Sequence, residues 1–237
     1  MRVYKASSKE AAMRKAIRAL NMCLKRANQK QVLLMFSGGS ALELLDGIEL
    51  SLIGKHITVT VLDERYSRDP AINNFAQVAQ TDFYREAEKK GIDYIDTRVH
   101  YRITLHRLAG KFDRALKRWR KNHPEGCIIV TQGIGEDGHT AGILPYSNQQ
   151  RKFQRLFEHK QKWIVAYSVP KAANKYTRRM TVTFPFLREQ ADCSIVYATG
   201  KDKRRAIRKT LAKSGSLEAT PSRVIQQMAA ARLYTDL

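Results

Sequence analysis

Asp137-Gly138-His139-Thr140 puts a carboxylate two residues before an imidazole, with a glycine between them as a hinge. A carboxylate so placed can orient the ring and raise its basicity, which suits the histidine to take a proton from water near neutral pH. A hydrogen bond that merely ties the loop together would use the same residues. Two further stretches carry chemistry. Ser37-Gly38-Gly39-Ser40 follows an apolar run and precedes a helical restart at Ala41. Strand, glycine turn and helix together cradle anions, because backbone N–H groups and a helix N-terminus both favour a phosphate. An ordinary turn also fits, and the Gly-Lys-Ser/Thr of a Walker A loop is absent. Asp63-Glu64-Arg65 places three charges at the end of an apolar run. They are costly there unless they meet solvent, each other or a ligand. Either an exposed ion pair with Arg65 or a site needing both a carboxylate and a cation accounts for them.

The letters Gly133-Ile134-Gly135-Glu136-Asp137-Gly138 match the dinucleotide fingerprint, and Glu158 lies 20 residues beyond the third glycine. The chemistry does not fit. Glu136 and Asp137 would repel a pyrophosphate, and Pro145 truncates the helix that should offer its positive end.

The elements that position these groups alternate along the chain. Residues 7–28 repeat apolar positions at helical spacing (Ala12, Ala16, Leu20, Leu24). Gln31–Phe36, Ile57–Leu62 and Cys127–Thr131 read as buried strands, each emptying into one of the polar stretches above. Residues 73–90 read as one helix ended by Gly91, 108–120 as another, and 149–159 as a polar helix. Strands follow at 163–169, 180–184 and 194–198, then helices at 202–213 and 221–228 and a closing strand at 231–234. Residues 94–100 suit a short strand or a loop. This alternation predicts an α/β fold, a mostly parallel, doubly wound Rossmann-like sheet with helices on both faces, in one domain over 1–237. Polar loops at the carboxyl ends of such strands are where active sites form.

Composition sets limits. The 237 residues are 43% hydrophobic, ordinary for a globular core. No apolar run approaches a membrane span and the amino terminus lacks a secretory apolar block, so a soluble cytoplasmic protein without membrane partners is expected. Cys23, Cys127 and Cys193 lie far apart, which suits reduced core residues and no zinc site. The net charge of +21 attracts anions. Nucleic acid is compatible with that charge but unspecified, since the basic residues are spread out and no zinc-finger or RRM signature is present.

Taken together, Ser37-Gly38-Gly39-Ser40, Asp63-Glu64-Arg65 and Gly133-Ile-Gly-Glu-Asp-Gly-His-Thr-Ala with Leu144-Pro145 resemble the signature set of the 6-phosphogluconolactonases, which share a superfamily with glucosamine-6-phosphate deaminases. The likeness continues through Val169-Pro170-Lys171, Arg179 to Pro185, Thr199-Gly200 with Lys203, and Pro221-Ser222. Asp-Glu-Arg in place of Asp-Glu-Tyr, and His-Thr-Ala in place of His-Ile, favour the lactonase branch. Departures occur at Ala41-Leu42, Ser67-Arg68, Asn73-Asn74 and Tyr146; Arg68 and Tyr146 are expected at the mouth of the site, where they would tune substrate choice. The resemblance implies hydrolysis of a phosphorylated sugar lactone, 6-phosphoglucono-δ-lactone, in the oxidative pentose phosphate pathway, with no metal and no organic cofactor. His139 would be the base, Asp137 its orienting partner, and Arg65 or the Gly38-Gly39 backbone the oxyanion donor. Ser37, Gly39 and Ser40 with Arg179 and Lys203 would hold the phosphate. In the deaminase alternative, Asp63 abstracts a proton and His139 assists ring opening. A third alternative keeps the fold as a sugar-phosphate- or nucleic-acid-binding protein without turnover.

Overall fold

A computed structural model describes residues 1–27, 29–146 and 149–237. In chain order its elements are β1 (Arg2–Lys5), α1 (Lys9–Arg26), β2 (Val32–Phe36), β3 (Ile57–Val61), β4 (Asp63–Arg65), α2 (Asn74–Ala79), α3 (Asp82–Lys89), β5 (Asp93–Tyr94), α4 (Leu105–Asn122), β6 (Cys127–Gln132), α5 (Gln150–Phe157), β7 (Ile164–Ser168), β8 (Arg178–Val182), α6 (Phe184–Glu189), β9 (Cys193–Tyr197), α7 (Arg204–Leu211) and β10 (Ala231–Thr235). Single-turn and irregular 3-10 segments cover Gly39–Gly47, Leu50–Leu52, Lys201–Lys203 and Pro221–Gln227.

A parallel seven-stranded sheet runs in the order β1-β10-β9-β6-β2-β3-β5. Its edge strands β1 and β5 are exposed and polar, whereas its central strands β2, β3, β6 and β9 are almost wholly buried because both faces are covered. Period-two alternation divides them between two cores. Leu33, Met35, Ile128 and Val130 join α4, α6 and α7 on one face. Leu34, Phe36, Val59 and Ile129 join α1, α2 and α3 on the other. The α/β class and the helices on both faces are therefore as the alternation predicts.

Three features depart from that reading. A second sheet, antiparallel in the order β4-β8-β7, grows directly from the end of β3. The expected helix over 73–90 breaks in two, since Thr81 caps a new helix through its side chain to the Tyr84 N–H. The expected strand over 180–184 stops at Val182, where Thr183 caps α6 and Pro185 sits in its first turn. The amino-terminal β1 went unforeseen, and position 28 of the expected 7–28 helix lies outside the described residues. Among the described residues, no helix is long and apolar enough to cross a membrane.

The cysteines correct another expectation. Cys23 and Cys193 form a disulfide across 170 residues of sequence. Distance along the chain says nothing here, because α1 packs on β9 and brings Cys23 over it. Cys127 remains a free thiol.

Candidate active site

The sheet reverses its winding between β2 and β6. From β2 the chain proceeds outward to β3 and β5; from β6 it proceeds the other way to β9 and β10. A crevice opens at the carboxyl ends of strands at such a switch point. A cleft of about 230 Å³ occupies this place, lined by residues of the 37–40 turn, the 133–142 loop, β4, β8 and Lys203.

The small sheet decides which charges face the cleft. Successive side chains of a strand point to opposite sides. Asp63 and Arg65 therefore share a face, and the register sets them opposite Thr181 and Arg179. Asp63, Arg65 and Arg179 all line the cleft. Thr181 donates its hydroxyl to the Ala141 carbonyl, which ties the histidine loop to β8. Glu64 points the other way. Among the described residues it pairs with no guanidinium; it accepts from the Asn74 and Phe75 N–H groups at 2.5 and 3.0 Å, where α2 begins, and from the Thr97 hydroxyl at 2.7 Å. The ion pair with Arg65 expected as one alternative is absent. Burial pushes the Glu64 carboxyl up to about 8, against the pull of these hydrogen bonds.

Asp63 is itself buried and its carboxylate is engaged by the Ser37 hydroxyl at 3.3 Å, the Asn74 amide at 3.3 Å and Arg179 Nη2 at 3.4 Å. Arg65 has no carboxylate partner among the described residues and lies over the Tyr176 ring, 4.4 Å from its centroid. The Nε–H groups of both arginines are buried without an acceptor among the described residues. Buried donors of that kind call for oxygen atoms from elsewhere.

On the loop, His139 Nδ1 lies 2.6 Å from Asp137 Oδ1, which also accepts from the His139 backbone N–H at 3.0 Å. A carboxylate only accepts, so Nδ1 carries the proton and Nε2 is left as the free base. Nε2 has no hydrogen-bond partner among the described residues. Burial acts to raise the Asp137 carboxyl, but its bonds to and the charge of His139 hold it below the usual carboxylate range. Glycine is required beneath the ring, since a Cβ on Gly135 would overlap the imidazole. It is required again at Gly142, whose φ of +69° brings its backbone against Asp63. Thr140 closes the loop base by donating to the Gly133 carbonyl at 2.8 Å.

All of Ser37, Gly38, Gly39, Ser40, Asp63, Arg65, His139, Arg179 and Lys203 line this one cleft; Asp137 stands behind His139. Lys203 is tied to Asp202 at 3.2 Å and to Glu136 at 3.7 Å. Arg68 and Tyr146, expected at the mouth, are not in the lining. Arg68 is exposed over Tyr101, and Tyr146 is buried against Phe153, Phe157 and Tyr167. The roles of Asn74 and Tyr176 in holding Asp63 and Arg65 were not anticipated; no local motif marks a side chain that acts from another element.

Comparison with known proteins agrees with this architecture. The family described as glucosamine-6-phosphate isomerases/6-phosphogluconolactonase matches residues 7–234. A protein named 6-phosphogluconolactonase from Chlamydia trachomatis is 37% identical over 76 residues, 32% of this chain and 25% of that protein. One of the same name from a Nostoc species is 29% identical over 122 residues, 50% of this chain and 45% of that protein. The chain thus aligns with less than half the length of these curated relatives. Among solved structures, a 6-phosphogluconolactonase from Shewanella baltica shares the fold with a TM-score of 0.75 at 21% identity, covering 99% of this chain and 95% of that one. One from Trypanosoma brucei does so with a TM-score of 0.74 at 16% identity, covering 99% and 95%. With a match that extends from residue 7 to residue 234, the chain belongs to the glucosamine-6-phosphate isomerase/6-phosphogluconolactonase family.

Proposed function

We propose that this protein hydrolyses 6-phosphoglucono-δ-lactone to 6-phosphogluconate, with His139 as general base. The observation that carries the reading is the imidazole held at Nδ1 by Asp137, with Nε2 free, in a cleft that also presents Arg65, Arg179 and Lys203. The names of its curated relatives support the same substrate, and the family's name includes it beside the isomerases.

Water attacks the lactone carbonyl while Nε2 takes its proton. The tetrahedral intermediate carries an oxyanion, which Arg65 or the N–H groups of the Gly38-Gly39 turn stabilise. Collapse breaks the bond to the ring oxygen, and the imidazolium returns its proton to that oxygen. Asp137 keeps the tautomer needed for both transfers and balances the transient positive charge. The substrate phosphate lies between the Ser37–Ser40 turn and the cations Arg179 and Lys203, whose charge and fixed donors suit a phosphate dianion. The cleft, its base and its cations favour this reading over the deaminase one, in which Asp63 must act as a base. That carboxylate is already engaged by Ser37, Asn74 and Arg179.

The test is lactone hydrolysis by wild type and His139→Ala, followed as acid release, beside an assay for ammonia from glucosamine 6-phosphate. The variant should lose about 10²–10⁴-fold in kcat and keep its melting temperature, as general-base removal requires. Undiminished turnover in the variant removes His139 from the mechanism. Ammonia release in place of lactone hydrolysis overturns the substrate.

A further inference from the structure

The charge of +21 is not explained by the cleft, which uses three of the chain's cations. On the edge of the sheet, away from the switch point, α1 lies beside β1 and β10. A groove of about 380 Å³ runs between them. Lys15, Arg18 and Arg26 line it from the helix, and Arg2 and Arg232 from the strands. No carboxylate is among its lining residues, and none of these five cations forms an ion pair among the described residues. Such a cluster is unusual, because unrelieved like charges repel one another and destabilise the compact state.

Three observations give the groove a shape and a chemistry. Lys15 to Arg26 spans eleven helical rises, about 16 Å, so the cations form a row along the groove and are not gathered at one point. Four of the five are arginines, whose fork of donors matches phosphate oxygens. Tyr4 and Tyr234 stack at 5.0 Å between centroids in the same groove, and Tyr4 is part-exposed, so an aromatic ring borders the cations. A row of arginines with an aromatic face is the combination that binds single-stranded nucleic acid, cations following the backbone and rings stacking on bases.

We propose that the α1–β1–β10 groove binds single-stranded nucleic acid through Arg2, Lys15, Arg18, Arg26 and Arg232, with Tyr4 as a stacking surface. It shares no residue with the cleft and is independent of the reaction there.

A polycationic protein binds polyanions weakly anywhere, so the test compares two variants of equal charge. One carries Arg2→Gln, Lys15→Gln, Arg18→Gln and Arg26→Gln; the other carries Arg107→Gln, Arg118→Gln, Arg151→Gln and Arg155→Gln on α4 and α5. All eight positions are exposed, so both should fold, with melting temperature as the check. Binding of a short fluorescein-labelled oligouridylate is read by anisotropy over a salt series, with polyglutamate and anionic phospholipid vesicles as competitors. The groove variant should bind at least about tenfold more weakly and lower the salt slope by about two to three, at about 0.7 for each phosphate no longer neutralised. The control variant should change little. Equal losses in the two variants, or no loss in the groove variant, overturn the site. Polyglutamate or vesicles displacing the oligonucleotide at lower charge concentration than unlabelled oligouridylate overturn the choice of partner.

Discussion

No Cβ fits between Gly135 and the imidazole of His139. The glycine is thus a floor for the imidazole, and its value lies in what it lacks. Gly135→Ala should push the ring off Asp137 and out of its working position. Lactone hydrolysis should fall by about 10²-fold, the scale on which small misplacements act. The fold should persist, because the loop is held separately by Thr140 and Thr181. Kinetics with a melting curve check this; full activity in the alanine variant removes the steric argument.

The Asp63–Arg179 pair makes a different prediction. Both residues are 4% exposed, and removing one partner strands the other's charge in the interior. Arg179→Met should destabilise the protein by about 3 kcal/mol, the lower end of what broken buried pairs lose. Combining it with Asp63→Asn should cost less than the sum of the two single changes. Urea unfolding of the four proteins measures the coupling, and strict additivity would show that the pair contributes none.

Glu64 gives the fold a pH dependence. Its carboxyl is raised from 4.5 to about 8 by burial, so the native state holds a proton that the unfolded chain releases. Its contribution is complete below about pH 4.5 and is lost as pH rises through about 8, the sign for a group raised on folding. Glu64→Gln should flatten stability across that window, at a loss of about 1–2 kcal/mol for the Phe75 N–H left without its acceptor. Urea unfolding at a series of pH values reads both effects.

The Cys23–Cys193 crosslink predicts that the denatured, unreduced protein presents one reactive thiol, Cys127, and three after reduction. Burial pushes the Cys127 thiol up to about 11, so it stays protonated and exchanges slowly in the native state. Reduction should destabilise by about 2–5 kcal/mol. Three thiols found without reductant would show the bond is not formed.

How much of this was legible in the sequence follows from which interactions are local. Asp137 and His139 are two residues apart, and their pairing could be read directly. The turn at Ser37–Ser40 follows a strand, and its place at a sheet end could be read from alternation. Asp63-Glu64-Arg65 was visible as a site but not as a strand. Its period-two division, with Asp63 and Arg65 toward the cleft and Glu64 buried on the other side, appears only once β8 lies alongside. The same is true of Arg65 on Tyr176 and of Cys23 on Cys193, where partners from distant segments meet by topology. Tyr146 shows the opposite error: beside Pro145 it resembles a rim residue, yet an aromatic cluster with Phe153, Phe157 and Tyr167 takes it inside.

The pairing of Arg65 with Arg179 across β4 and β8 has a bearing on how this site can change over evolutionary time. The separation of the two cations is set by main-chain register, not by the conformation of the connection at 169–177. Insertions there that spare Tyr176 leave the spacing of the two arginines intact. A single-residue deletion inside β8 that shifts its register would instead turn Arg179 to the opposite face and put Met180 or Arg178 in its place. Apart from Tyr176, which lies under Arg65, the connection is free to diverge, and the register of the strand is not.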